Sequence, residues 1–507
     1  MNLKWVQTKG IYLVLLLGFF LRVFRLNERG LWYDEAFAIL YAARPLKDIV
    51  QGTLADVHGA LADVHPLFYY FSVHFWTKIA GDSVFAARFL SVFWGVATLP
   101  LAYRVAKGLF GRRTSLAAIG VLAVAPFHVA YSQEARMYAQ LAFWSTLALY
   151  AFVRYANTFR RRWWATFVCA GALALYTHNL GFLMFAVLGL WVTTKSLSDR
   201  SLRLFVPTAL AGVAMFVLWL PWLVLIPGQF AKVEQAYWVP TPSWVTLVQT
   251  LLVFGFGFDN ASIPAALLPV LLFGALLALV LIVYRVFKEC QAIAWREKNG
   301  AWTLFVLAMA FLPIVLLYAL SLWRPVYIIR ALLPAFICYA ILVAWAVVGL
   351  PKPVAVGVAA LLGAIVIATW PNYYWYNSFP RSPFQEAELW LESHTQSADA
   401  IVHDNKLSFF PMHYYGNGLS ETFVADPAGA GSDTLALPTQ QALGLYATSL
   451  PAATAGKSRI WFVILQNAET EAADRGQLQS NLAWMDKAFY RVSVQRFNDL
   501  DVYLYER

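Results

Sequence analysis

"HPLFYYFSVHFWTKIAG", residues 65–81, decides how this chain threads a membrane. It is strongly apolar, and a helix needs about 20 apolar residues to cross a hydrocarbon core of about 30 Å. Eleven other apolar runs lie near residues 10–26, 84–106, 114–132, 138–154, 163–177, 179–194, 204–226, 263–286, 301–322, 329–349 and 353–370. Whether 65–81 is a twelfth span cannot be read from hydropathy. The positions of Lys and Arg decide it.

If 65–81 does not cross, five loops fall on one side: "KGLFGRR", "RYANTFRRR", "KSLSDRSLR", "RVFKECQAIAWREK" and "PKP". They hold 15 Lys and Arg, whereas the opposite short loops hold only Arg136, Lys232, Arg324 and Arg330. Positive charge stays on the cytoplasmic side, so the N-terminus with Lys4 and Lys9 is cytoplasmic too. A crossing at 65–81 would separate those two lysines from every basic loop. The segment therefore reads as an amphipathic or re-entrant helix on the outer face, and residues 27–83 as one large outer loop. The fold class expected is a polytopic α-helical membrane protein with about 11 transmembrane helices.

Composition agrees. Of 507 residues 60% are hydrophobic and 13% charged, against about 25% charged in soluble domains. The net charge of +10 is explained by topology, and no nucleic-acid partner is implied. Cys169, Cys290 and Cys338 lie in or beside apolar runs and imply no disulfide framework. The first run lacks a small-residue cleavage site, so it reads as a retained span rather than a signal peptide.

Beyond residue 371 the character changes. Residues 372–507 hold no span. "DAIVHD" (399–404) and "RIWFVIL" (459–465) read as buried strands, and "QSNLAWMDKAF" (479–489) as a helix. "RVSVQRFNDLDVYLYE" reads as a hairpin of alternating residues around "NDLD", and residues 425–440 as a loop. With eleven spans this α/β domain is exoplasmic, above a membrane domain of residues 1–371.

The same parity puts Asp34, Glu35, Asp63, His65, Arg88, Glu134, Arg136, His178 and Arg330 on one, non-cytoplasmic face. Adjacent carboxylates in "GLWYDEAFAI" (30–39) fit either a helix N-cap or a base taking a proton from a nucleophile. "ADVHGALADVHP" repeats Ala-Asp-Val-His at 55–58 and 62–65. Asp56 and His58 read as solvated positions of an amphipathic helix. The spacing matches no strong metal-ligand pattern, so no metal is predicted and no cofactor is required. "YSQEARMYA" (131–139) places Glu134, Arg136 and Tyr138 in a turn between spans, where an arginine suits a phosphate. His178 sits at the tip of "LYTHNLGF". Arg324 and Arg330 flank a span, where snorkelling is the plain reading. Charges gathered at a membrane face mark a functional site, and this set suits a lipid carrying an anionic phosphate.

These motifs, "LWYDEAFAI", "DVHPLFYYF", "PFHVAYSQEARMYA" and "LYTHNLGF" together with "FAARFLSVFWGVATLPLAYRVAKGLFGRR", resemble bacterial glycosyltransferase family 39 over roughly residues 10–350. That family is related to protein O-mannosyltransferases and lipid A aminoarabinose transferases, and has the GT-C fold. The resemblance implies an inverting transferase in the bacterial cytoplasmic membrane, working on its periplasmic or extracellular side. The donor would be a polyprenyl-phosphate-linked sugar, and the acceptor a glycan, lipid or protein. Asp34 matches the catalytic carboxylate and Glu35 its partner. Asp63, His65 and Pro66 match an Asp-x-His-Pro-Pro motif, with Leu67 replacing the second proline. They and His178 are expected to support the active site. Arg88, Glu134, Arg136, Tyr138 and Arg330 are expected to bind the donor phosphate. The loop "LPWLVLIPGQFAKVEQAYWVPTP" is expected to cover the site. A lipid-linked-sugar flippase would want charges near the midplane and internal symmetry, and a lipid-phosphate transferase a metal cluster or another His/Arg set. Neither pattern is present.

Overall fold

The computed structural model describes residues 3–235, 239–257, 263–291, 299–416, 418–426, 435–474 and 479–507. In chain order the helices through residue 374 are α1 (Leu3–Val23), α2 (Tyr33–Ala42), α3 (Leu46–Leu54), α4 (Leu67–Ala80), α5 (Val84–Val124), α6 (Pro126–Ser132), α7 (Tyr138–Thr158) and α8 (Arg161–Thr177). They continue as α9 (Phe182–Asp199), α10 (Phe205–Leu223), α11 (Ile226–Gln235), α12 (Trp244–Gly255), α13 (Leu268–Cys290), α14 (Asn299–Trp323), α15 (Leu333–Val348) and α16 (Lys352–Tyr374).

Among the described residues seven helical segments are long and apolar enough to cross a membrane: α5, α9, α10, α13, α14, α15 and α16, two of them counted with the turn that precedes them. The other expected spans fall on α1, α7 and α8. Runs 84–106 and 114–132 are the two arms of α5, which meet at Gly111 with φ 82°, a backbone state open mainly to glycine. The second run breaks again before Pro126, where α6 starts. Residues 65–81 form α4, whose 14 residues reach about 21 Å at 1.5 Å per residue, short of a hydrocarbon core. The loop expected over residues 220–242 holds α11, and the apolar α12 follows it. Residues 236–238 of that loop, 292–298 of the fourth basic loop and 427–434 of the 425–440 loop lie outside the described residues.

α15 is the central helix, packed against α5, α7, α13, α14 and α16, with 89% of its apolar window buried against 17% for α16. Polar side chains hold the N-terminal helices together. Arg22, fully buried on α1, uses all five N–H groups: Nε donates to Ser132 Oγ, Nη1 to the Gly18 and Ala123 carbonyls, and Nη2 to the Leu122 carbonyl and His128 Nδ1. A Cβ on Gly95 would overlap Ser132 Oγ, so the backbone approaches there as only glycine permits.

In the first loop β1 (Asp56–Val57) and β2 (Ala60–Leu61) make a small hairpin instead of the expected amphipathic helix, because His58 and Gly59 turn the chain with φ 55° and 80°. The C-terminal region builds a sheet from β3 (Ala400–His403), β4 (Glu421–Val424), β5 (Ala447–Thr448), β6 (Arg459–Leu465), β7 (Tyr490–Phe497) and β8 (Leu500–Glu506), ordered β5-β4-β3-β6-β8-β7. The first four are parallel, and β8 and β7 antiparallel. As the period of two requires, Trp461, Val463 and Leu465 of β6 face one core while Ile460, Phe462 and Ile464 face another. The hairpin departs from the expected alternation. β8 is buried on both faces from Leu500 to Tyr505 because it lies between β6 and β7. β7 is the sheet edge, exposed from Tyr490 to Arg496. Helix Phe384–His394 packs on one face, and helix Lys406–Tyr415 lies against α2. Further ties bind this region to the first loop: Thr439 Oγ1 to the Gly52 carbonyl, Arg44 Nε to the Ala442 carbonyl, and the Leu31 N–H to Tyr415 Oη.

Candidate active site

The site is built on the first turn of α2. Trp32 occupies the cap position with no side-chain cap, and the N–H groups of Glu35 and Ala36 bond its carbonyl. Asp34 is therefore not the N-cap that its sequence position allowed. It sits inside the first turn, where the helix dipole favours a carboxylate.

Glu35 points inward and is fully buried. Arg88 clamps it with Nε on Oε1 and Nη2 on Oε2, both 2.8 Å, and the Ala135 N–H adds a bond to Oε1 at 2.8 Å. Arg381 Nη1 donates to Oε2. Burial alone would push this carboxyl up, but the charges of Arg381 and Arg88 hold it down at about 2. Arg88 was expected to bind the donor phosphate. Its remaining N–H groups go to the carbonyls of Leu26, Arg29 and Gly30, so all five donors of the guanidinium are spent on the protein. Arg88 positions Glu35 and the start of α2.

Asp34 faces the other way, with its side chain 18% exposed. Its Oδ2 lies 3.4 Å from Arg136 Nη2 and 3.5 Å from Arg330 Nη2, long contacts compared with those of Glu35. Arg136 Nη2 also donates to His65 Nε2 at 3.2 Å, and His65 Nδ1 to Asp63 Oδ1 at 2.8 Å. A guanidinium only donates and a carboxylate only accepts, so the proton of this imidazole is on Nδ1. Tyr70 Oη donates to Asp63 Oδ2 at 2.9 Å. Against the cost of burial, His65 and Tyr70 hold the Asp63 carboxyl at about 2. Arg136 Nε has no partner among the described residues. Arg330 stacks over Trp32 and Tyr138, at 5.4 and 5.3 Å from the ring centres.

Glu134 lies at the edge of this set. Its Oε2 accepts from Arg381 Nη2 at 3.4 Å, and burial, partly offset by Arg381, raises its carboxyl to about 7. His178 ends α8, packs on Tyr138 at 5.7 Å between ring centres, and is held neutral by burial, with its pKa down at about 3. Beside His65 and His178 opens an apolar pocket of about 280 Å³ reaching α10, α11 and the chain before Arg330.

All ten sequence-predicted site residues thus lie in one connected region. Asp56 is apart, an exposed turn residue accepting the Gly59 N–H, and Arg324 pairs with exposed Glu234. Sequence reading missed Arg381, which bridges Glu35 and Glu134 from 346 residues beyond Glu35. Trp32, Gln229 and Trp219 were missed as well. Trp32 had a signal, being next to the acidic pair, and Gln229 lies in the loop expected to cover the site; Arg381 and Trp219 had none local to them. Among the described residues no group of three or more His, Cys, Asp or Glu is arranged to hold a metal ion.

The family of dolichyl-phosphate-mannose-protein mannosyltransferases matches the chain over residues 64–225. Among solved structures, ArnT from Cupriavidus metallidurans in the apo state is similar with a TM-score of 0.64 and 13% identity, over 99% of this chain and 98% of that one. The same protein bound to undecaprenyl phosphate gives 0.59 and 14%, with the same coverage. The Archaeoglobus fulgidus oligosaccharyltransferase tethered with an acceptor peptide gives 0.55 and 13%, over 97% of this chain and 73% of that one. No curated protein matches. This multi-pass membrane protein has the GT-C fold and is similar to glycosyltransferase family 39.

Proposed function

We propose that the protein is an inverting glycosyltransferase that moves a sugar from a polyprenyl-phosphate donor to an acceptor at the outer face of the membrane. One observation carries the reading: both adjacent carboxylates face two arginines, and Asp34 alone is loosely held and partly exposed. In this mechanism Asp34 takes the proton of an acceptor hydroxyl or amine as that group attacks the anomeric carbon. The carbon–oxygen bond to the lipid phosphate breaks, and its electron pair leaves with the phosphate. Arg136 and Arg330 turn from Asp34 to the phosphate, because preorganised cations lower the barrier where negative charge develops. Attack opposite the leaving group inverts the anomeric centre. Asp63 and His65 fix Arg136, while Glu35, Arg88 and Arg381 fix the helix that carries Asp34.

The outer-face placement rests on the Lys/Arg distribution over eleven spans. It puts α4 and the domain of residues 372–507 outside the cytoplasm, and the resemblance to glycosyltransferase family 39 supports a bacterial inner membrane. The pocket beside His65 suits the lipid, and the acceptor is a glycan, lipid or protein. No step is assigned to a metal.

The test is transfer in nanodiscs, from radiolabelled undecaprenyl-phosphate-linked sugars to acceptors in a cell-envelope extract. Label should appear in the acceptor with release of undecaprenyl phosphate in equal amount. Movement of intact donor across sealed vesicles, with no bond broken, would instead show a flippase. Transfer of the phosphate together with the sugar would show a lipid-phosphate transferase.

A further inference from the structure

The pocket beside His65 is walled by apolar side chains, yet Gln229 of α11 lines it while being only 4% exposed. Its Nε2 has no partner among the described residues. The direction of this amide follows from its neighbours. The indole Nε1 of Trp222 can only donate, and it donates to Asn179 Oδ1 at 2.8 Å. The other end of Asn179 must then be its NH2, which donates to the Val64 carbonyl at 3.1 Å and to Gln229 Oε1 at 2.7 Å. That fixes the oxygen of Gln229 and leaves its NH2 as the unclaimed end. Side-chain amides are oriented by such networks rather than by their shape.

The other polar groups of the wall agree. Trp219 lines the same pocket, and its buried Nε1–H also lacks a partner among the described residues. His178 Nδ1 accepts the Leu180 N–H at 3.1 Å, so the proton of the neutral ring is on Nε2. The lone pair of His65 Nε2 is taken by Arg136. Among the described residues, the buried side-chain atoms of this apolar lining that lack any partner are therefore N–H groups. A buried donor without an acceptor is destabilising, and an apolar lipid chain supplies no acceptor.

We infer that Gln229, with Trp219 and the Nε2–H of His178, forms a donor-only subsite that takes an acceptor oxygen of the substrate's head group. That oxygen belongs either to the phosphate or to a hydroxyl of the transferred sugar. The inference rests on the proposed function. Because these donors are uncharged, they add hydrogen-bond selectivity to the charge supplied by Arg136 and Arg330.

The test measures the affinity of nanodisc-embedded protein for undecaprenyl phosphate and for undecaprenyl-phosphate-linked mannose. Gln229→Met keeps the volume and removes the donor, and should weaken binding about 3- to 10-fold at unchanged Tm. Asn179→Asp accepts from Trp222 but no longer donates to Gln229. The amide should then turn and present its oxygen to the pocket, with a loss at least as large. Weakening toward both probes assigns the oxygen to the phosphate, and weakening toward the sugar-linked probe alone assigns it to the sugar. Unchanged affinity for both probes in Gln229→Met would overturn the subsite. Binding of neither probe by the wild type would overturn the proposed function, and the subsite with it.

Discussion

Asp34 and Glu35 are neighbours in sequence and occupy two different chemical regions. On the Glu35 side the arginine that clamps the carboxylate is fully matched. Arg88 spends five N–H groups on one carboxylate and three carbonyls, much as Arg22 does deeper in the bundle. On the Asp34 side the contacts are 3.4 and 3.5 Å, and Arg136 keeps an unmatched Nε–H. Two buried arginines with saturated donors are framework. An arginine with spare capacity beside a partly exposed carboxylate is ready to receive a ligand. In the proposed mechanism saturation, more than proximity to the acidic pair, separates the residues that hold the site from those that act in it.

The largest effect should come from breaking the saturated side. Arg88→Met leaves Glu35 buried with its main clamp gone, and removing one partner of a buried ion pair costs about 3–5 kcal/mol. The variant should show a markedly lower Tm in detergent, with activity lost through unfolding. A Tm near wild type would mean that the Glu35 side is less committed than its geometry indicates. A smaller effect, of another kind, should follow on the open side. Arg136→Ala should leave Tm near wild type and weaken undecaprenyl-phosphate binding by about 10- to 150-fold, the equivalent of roughly 1.5–3 kcal/mol for a charge-assisted contact. A fall in Tm with unchanged binding would move Arg136 to the framework.

Much of this site was legible because its residues sit in short segments between apolar runs, where any charge stands out. Asp34, His65, Arg136 and Arg330 were found that way, and α4 by the parity of lysines and arginines. The division between framework and site was not legible. Arg88 and Arg136 are both arginines at helix ends, and only their partners distinguish them. Arg381 follows the last span in "FPRSPF" and meets Glu35 through tertiary contact alone. Gln229 lies in the loop expected to cover the site, but its role was not legible, because that depends on which way Asn179 and Trp222 orient it. Nor could hydropathy separate the central α15 from the peripheral α16, since lipid tails are as apolar as the leucines of a protein core. In the C-terminal sheet, strand neighbours decide burial, which is why β7 and β8 lost the alternation expected of them.

The central claim is that Asp34 does chemistry and Glu35 does not. Its most direct test is the turnover of Asp34→Asn, measured by sugar transfer from radiolabelled undecaprenyl-phosphate-linked donor in nanodiscs. Asparagine keeps the shape and removes the basic charge. Turnover should fall by at least about 100-fold, the scale of a lost general base, while Tm and donor affinity stay near wild type. Near-normal turnover in a folded Asp34→Asn protein would contradict the account.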